Sequence, residues 1–378
     1  MKKVKLFAGV LFLACALITG CSEAGSIHAR PAAYWPTTEW KTCLPEEQGM
    51  KSEKLVELFR FMKEKKPSSD GLLIIRNGYI VAETYGNGYS KFRKHHLFSV
   101  TKSIMGAVWG IAMRDGIVSS SLDERVVSYF PELKIANHDD SKQNMTIRQF
   151  LTMSSGLAWP EWEQGDQVWR EWDASDDQLQ YVLDKPIIKE QINLFNYNSG
   201  EPHVLSAIVE RKAGRSTFDF AREKLFAPLG ITNVDWKTDK KGITMGGAGL
   251  FMTPRDLAKF GYLYLKQGEW DGAQVIPAEW VRASTSPQMP TNLPGGEHYG
   301  YYFWLTNLAG HTVYEAVGAH GQYMIVIPDL DVIVVQTSSE SVDPDKMVMD
   351  YIIPSAVSSE PIPVNHEANK VLQELMLP

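Results

Sequence analysis

A serine and a lysine three residues apart, Ser99-Val100-Thr101-Lys102, carry the first chemical signal. On a helix such residues share a face, so a hydroxyl and an amine point into the same space. In the first turn, unpaired N–H groups favour negative charge developing on the serine. A lysine among apolar neighbours such as Ile104, Met105 and Val108 has its ammonium disfavoured by burial, and can then accept or relay the serine proton. Taken alone, the pattern is also what chance supplies, as an exposed lysine on an ordinary helix. A second element, Tyr197-Asn198-Ser199, lies in a turn-rich run just before a helix expected to open at Pro202. The Tyr197 phenol, if made acidic by Lys102, can take the Ser99 proton and return it to a leaving group. The alternative is a half-buried tyrosine bonded locally. A third element is Gly318-Ala319-His320-Gly321-Gln322, at the entrance to a strand. Glycines such as Gly321 let a substrate approach the backbone. The N–H groups of Ser99 and Gln322 are expected to form an oxyanion hole. His320 either lines the cleft or is a surface turn residue.

These pieces need elements to hold them. Gly71–Tyr85 reads as two strands around Asn77-Gly78, whose residues tolerate the positive φ of a hairpin turn. Ser99–Arg114 reads as a largely buried helix. From about 120 to 290 the spacing is mostly helical, over 146–153, 176–183, 202–213, 217–226 and 254–266. Strand character returns over 299–305, 312–317, 322–327 and 332–337, with a turn at Pro328–Asp331. A hairpin, a helical insertion and a late set of strands predict one α+β domain, an antiparallel sheet flanked by helices with a helical subdomain. Its expected extent is 46–356, after a tether over 21–45 and before a loosely ordered tail over 357–378. Trp159, Trp162, Trp169 and Trp172 either pack the subdomain or form an aromatic wall, with Trp159 taken as facing substrate.

Composition bounds the rest. Of 378 residues, 44% are hydrophobic and 22% charged, an ordinary globular balance. Lys2, Lys3 and Lys5 precede an apolar run, Leu6–Ile18, and then Thr19-Gly20-Cys21. Residues 1–20 are therefore read as a secretory signal. Ile18–Cys21 resembles the bacterial lipobox, which implies a lipidated Cys21 and attachment to a membrane in the cell envelope; the alternative is a plain signal with Cys21 incidental. Cys15 falls in the signal, so only Cys43 would remain and no disulfide is expected. Loss of the three lysines takes the formal charge from -7 to -10. That acidity argues against a nucleic-acid partner. The histidines show no zinc spacing, and neither a G-x-S-x-G elbow nor a phosphate-binding glycine loop is present, so no metal or cofactor is expected.

In order and spacing, the three elements resemble the serine β-lactamase and penicillin-binding protein superfamily. Within it the chain looks most like class C β-lactamases, the related carboxylesterases and 6-aminohexanoate-dimer hydrolases. Thr146–Gly156, Gly246–Leu257 and Pro328–Asp331 support the likeness, which spans roughly 46–356. The resemblance implies a serine hydrolase with Ser99, Lys102 and Tyr197 as catalytic groups. Two departures bear on substrate. Ser199 replaces the asparagine of the family's Tyr-x-Asn, and Ala319-His320-Gly321 stands where Lys-Thr-Gly is expected. The missing lysine removes a charged contact to a carboxylate. Ester or small-amide hydrolysis is therefore expected ahead of β-lactam hydrolysis. The rivals are a D-alanyl peptidase or weak penicillin binder and, from another class, an inactive envelope-binding lipoprotein.

Overall fold

Strands β1 (Gly71–Arg76) and β2 (Tyr79–Tyr85) meet across Asn77-Gly78, whose φ angles of 49° and 82° suit a two-residue hairpin turn. Every β1 residue is buried because both faces of the sheet are covered. Leu72 and Ile74 join one core cluster, and Leu73 and Ile75 join the other, following the two-residue alternation of a strand. The computed structural model describes residues 34–65, 69–162, 166–293, 296–340 and 344–377. The expected signal over 1–20 and the lipidation site Cys21 lie outside the described residues.

The remaining strands of the main sheet are β3 (Met289–Leu293), β4 (Gly296–Tyr299), β5 (Trp304–Leu308), β6 (His311–Gly318), β7 (Gln322–Ile327) and β8 (Val332–Thr337). Their order is β2-β1-β8-β7-β6-β5-β4-β3, antiparallel at every pairing. The single strand expected over 299–305 is interrupted. Tyr301 N–H turns aside to Ser284 O at 3.1 Å and Tyr302 adopts φ 66°, a left-handed conformation that breaks the extended run.

The longer helices are α1 (Ser52–Lys65), α2 (Val100–Arg114), α3 (Gly200–Ala213), α4 (Pro254–Leu265) and α5 (His366–Met376). Leu55, Leu58 and Phe59 of α1 and Leu372 of α5 pack on the face that carries Leu72 and Val334. Ile104 and Val108 of α2 and Leu257 of α4 pack on the opposite face, with Leu73 and Val335. Residues Val100–Ala112 of α2 are all buried, as expected of a helix apolar on every side. Short helices, including Ile147–Leu151, Gln167–Ala174 and Gln178–Asp184, build the helical part around α3. A small sheet of His95–His96, Leu250–Met252 and Asp235–Trp236 fastens the approach to α2 onto the segment before α4.

Two expectations fail at the ends. Residues 34–45, read as tether, are built into the domain. Trp40 is buried with its indole N–H on Arg255 O, Thr42 bridges Ile80, and Trp270 donates to Thr37 Oγ1. Burying such aromatic surface outweighs ordering a short segment. Residues 357–378, read as a loose tail, contain α5, which Asn365 caps. Asn369 Nδ2 donates to Glu46 Oε2 at 2.8 Å, tying the two ends of the domain together.

Candidate active site

Ser99 sits at the N-cap of α2, after a turn in which Phe98 holds φ 46°. That left-handed conformation is costly for a bulky residue, and strain of this kind concentrates at functional turns. The Phe98 ring is held between His96, at 3.9 Å between centroids, and His320, at 4.9 Å. Leu97 N–H donates to Leu250 O at 2.9 Å, anchoring the turn to the small sheet.

One turn into α2, the Lys102 amine lies 2.8 Å from Ser99 Oγ and donates to Gly247 O at 2.8 Å. Lys102 is 1% exposed. Burial lowers its pKa to about 8, against a smaller upward pull from Glu161. With Gly247 fixing one N–H direction, the lone pair of the neutral amine can face the serine hydroxyl. Gly247 has to be glycine, because a Cβ there would fall 2.1 Å from Ser199 O. The Gly246-Gly247 backbone is pressed directly against the start of α3, and this brings its carbonyl to Lys102.

Tyr197 is inserted between Trp162 and Trp304, with stacked rings 5.0 Å and 5.8 Å from its own. Lys102 Nζ is 4.8 Å from its ring centroid. Burial pushes the phenol pKa up, Glu161 pushes it further, and a hydrogen bond with Ser99 opposes both. The phenol therefore stays protonated at neutral pH. The sequence suggests a Tyr197 made acidic by Lys102; burial has instead raised the phenol and lowered the amine. Asn198 is structural, its Oδ1 accepting Gly200 N–H at 2.8 Å and Glu201 N–H at 3.3 Å. These bonds start α3 two residues before Pro202, which lies inside the first turn.

The cleft above Ser99 has a volume of about 640 Å³ and is lined by Ser99, Tyr197, Ser199, His320 and Gly321 among the residues singled out from sequence. Trp159 and Gln322, expected to face the cleft, do not line it. Trp159 is buried beneath the cleft, edge-on to Trp172 and Tyr181, with its N–H on Glu161; Trp162 and Trp169 line the wall in its stead. Gln322 is fully buried opposite Gly318 in the β6–β7 ladder. Its amide donates to His320 O and Ser338 O, closing the hairpin from behind. The backbone that lines the cleft with Ser99 is Val317-Gly318-Ala319. A Cβ on Gly318 would stand 3.2 Å from Ser99 N, so a side chain there would crowd the serine amide. The shift from Ala319-His320-Gly321 arises because β6 runs on to Gly318 and the hairpin turn takes up the next three residues.

Sequence reasoning missed Glu161, Gly247, Ala319 and Trp304. Glu161 stood in view within Trp159-Pro160-Glu161-Trp162, an acid inside an aromatic run. Gly247 acts through its carbonyl alone, which leaves no side-chain signal.

A family model described as Beta-lactamase matches residues 58–357. The 6-aminohexanoate-dimer hydrolase of Paenarthrobacter ureafaciens is 26% identical over 298 residues, covering 73% of this chain and 74% of that protein. Among solved structures, a putative 6-aminohexanoate-dimer hydrolase from Bacillus anthracis superposes with TM-score 0.64 at 22% identity, covering 93% of this chain and 90% of the other. A family VIII carboxylesterase superposes with TM-score 0.64 at 16% identity, covering 83% and 98%. With the family model spanning most of the chain, and a 6-aminohexanoate-dimer hydrolase among its curated relatives, this protein belongs to the beta-lactamase family and is a serine hydrolase.

Proposed function

We propose that this protein cleaves esters or small amides through an acyl-enzyme on Ser99. The observation that carries the reading is the Lys102 amine, buried and lowered, 2.8 Å from Ser99 Oγ. Neutral Lys102 takes the Ser99 proton as Oγ bonds to the substrate carbonyl carbon. The carbonyl electron pair moves onto oxygen. Ser99 N–H and Ala319 N–H receive that oxyanion; among the described residues neither is engaged by a backbone carbonyl. Tyr197 gives its phenolic proton to the departing alkoxide or amine and is reprotonated by the Lys102 ammonium. Water then attacks the acyl carbon, losing a proton to Lys102, and Ser99 leaves with that proton.

Charge supports the substrate class. Among the described residues lining the cleft, none is lysine or arginine, whereas Glu161 and Asp166 are both present. A carboxylate-bearing β-lactam would meet like charge there, while a neutral ester or amide would not. The 6-aminohexanoate-dimer hydrolase and carboxylesterase names of its relatives support the same reading. A fluorophosphonate should label Ser99, a p-nitrophenyl ester should turn over, and Ser99→Ala should do neither. Equal turnover by Ser99→Ala would remove the assignment. The proposal includes attachment to the bacterial envelope through lipid on Cys21, supported by the Leu6–Cys21 pattern. Two acyl chains suffice for stable anchoring. Metabolic labelling with a radioactive fatty acid should mark the protein and spare Cys21→Ser; equal labelling of both would reject the anchor.

A further inference from the structure

Glu161 is a carboxylate that the acyl-transfer steps do not use, although it lies in the cleft wall beside them. It is held from several directions. Trp159 Nε1 donates to Oε2 at 2.6 Å, Ser199 N donates to Oε2 at 2.7 Å, and the Ser199 hydroxyl donates to Oε1. Trp159 is itself locked in the core, edge-on to Trp172 and Tyr181. The carboxylate therefore joins a fixed aromatic wall to the residue two positions after Tyr197. Charge-assisted bonds of this kind are short and directional. No lysine or arginine is bonded to Glu161 among the described residues, so its negative charge is left facing the site.

We propose that Glu161 is a positioning residue: it clamps the Tyr197–Ser199 turn at the depth where the phenol meets Ser99, and its fixed charge sets the pH at which Lys102 begins to work as a base. The inference rests on the acyl-transfer reading of the same site. Several groups face this charge. Lys102 reaches in from α2. Tyr197 and Glu201 come from the start of α3, and Glu201 is buried with its carboxyl kept protonated well above the usual range. Tyr299 comes from the sheet side, its phenol pushed up chiefly by burial. Asp166 and His320 stand at the rim. Only Glu161 is both bonded to the Tyr197–Ser199 turn and opposed to the lowering of Lys102. A negative charge nearby favours the ammonium, so Glu161 holds the base in its inactive form to higher pH.

The test compares wild type, Glu161→Gln and Glu161→Ala as full mature chains. The readouts are p-nitrophenyl ester hydrolysis from pH 5.5 to 10, fluorophosphonate labelling of Ser99, and Tm. Glu161→Gln keeps an acceptor for the wall and the turn but removes the charge. Its acid limb in kcat/KM should move down by half a pH unit or more, with kcat at the plateau within about threefold of wild type. Glu161→Ala should show the same limb shift and also lose tenfold or more in plateau kcat as the Tyr197 turn loosens. An unmoved limb in Glu161→Gln, or a move to higher pH, overturns the charge role. Wild-type plateau kcat in a folded Glu161→Ala overturns the clamp. If wild type neither labels at Ser99 nor turns over, the acyl-transfer reading itself has failed. That outcome is distinct from a labelled, active wild type whose variants do not shift.

Discussion

Three lysines are buried among the described residues, Lys102, Lys142 and Lys259, and the first two do opposite things. Lys142, in the helical part, is fully buried and donates to Ala136 O and Leu183 O, both at 2.7 Å. Burial lowers its pKa, and Asp184 and Asp139 pull it back up. It ties two stretches of backbone together and faces no hydroxyl. Lys102 shares the burial but has one carbonyl, one serine and an open cleft beyond. Burial alone therefore does not make a base; the remaining lone-pair direction must lead to a reacting atom.

Breaking each lysine should separate the two roles. Lys102→Met should lose at least ~10³ in kcat/KM, at the strong end of the usual range for a removed acid–base group because this one also activates the nucleophile. Its Tm should not fall, since a charged group is no longer forced into the core; a Tm drop that tracks the lost activity would make Lys102 a structural residue. Lys142→Met should do the reverse, costing about 2 kcal/mol of stability for two stranded carbonyls, measured by urea unfolding. Activity per folded molecule should stay within twofold.

The third effect is the pH profile. The neutral amine of Lys102 is the active form, and its pKa is lowered from the ordinary 10.5 to about 8. Wild-type kcat/KM should therefore fall tenfold per pH unit below about 8 and level off above it. The sign for stability follows from the same shift. Below pH 8 the folded and unfolded chains both hold this proton and the burial penalty is constant. Between about 8 and 10.5 the folded state releases it first, so this residue's contribution becomes more favourable as pH rises. A profile flat from pH 6 to 9 would deny Lys102 the role of base. The smallest effect should come from the cleft wall. Trp162→Ala removes one of the two rings flanking Tyr197 and should raise KM severalfold, with kcat reduced less. A larger loss in kcat than in KM would make the ring part of the proton path.

Much of this comparison could be read from sequence, and the parts that could not share a cause. The S-x-x-K spacing and the apolar run after it place Ser99 and Lys102 at the start of one buried helix. The 71–85 hairpin and the strands at 322–327 and 332–337 follow from alternation and turn residues. Helix α5 was legible too, since Ala368, Val371, Leu372, Leu375 and Met376 repeat at helical spacing. Read as a loose tail in the sequence, the segment instead packs as a helix on the sheet. Gln322 and Trp159 failed for a different reason. Which hairpin residue faces the serine depends on where β6 ends, and a one- or two-residue change moves the donor out of the cleft. Which of four nearby tryptophans faces solvent depends on a fold of the chain that local pattern does not encode.

The Lys102–Gly247 bond joins residues 145 positions apart. During synthesis the nucleophilic turn leaves the ribosome long before the backbone carbonyl that aims its base. Contacts this distant in sequence form late in folding. In the proposed mechanism the emerging chain therefore carries an ordinary, unreactive serine, and acylating power waits until the segment around Gly247 closes over it.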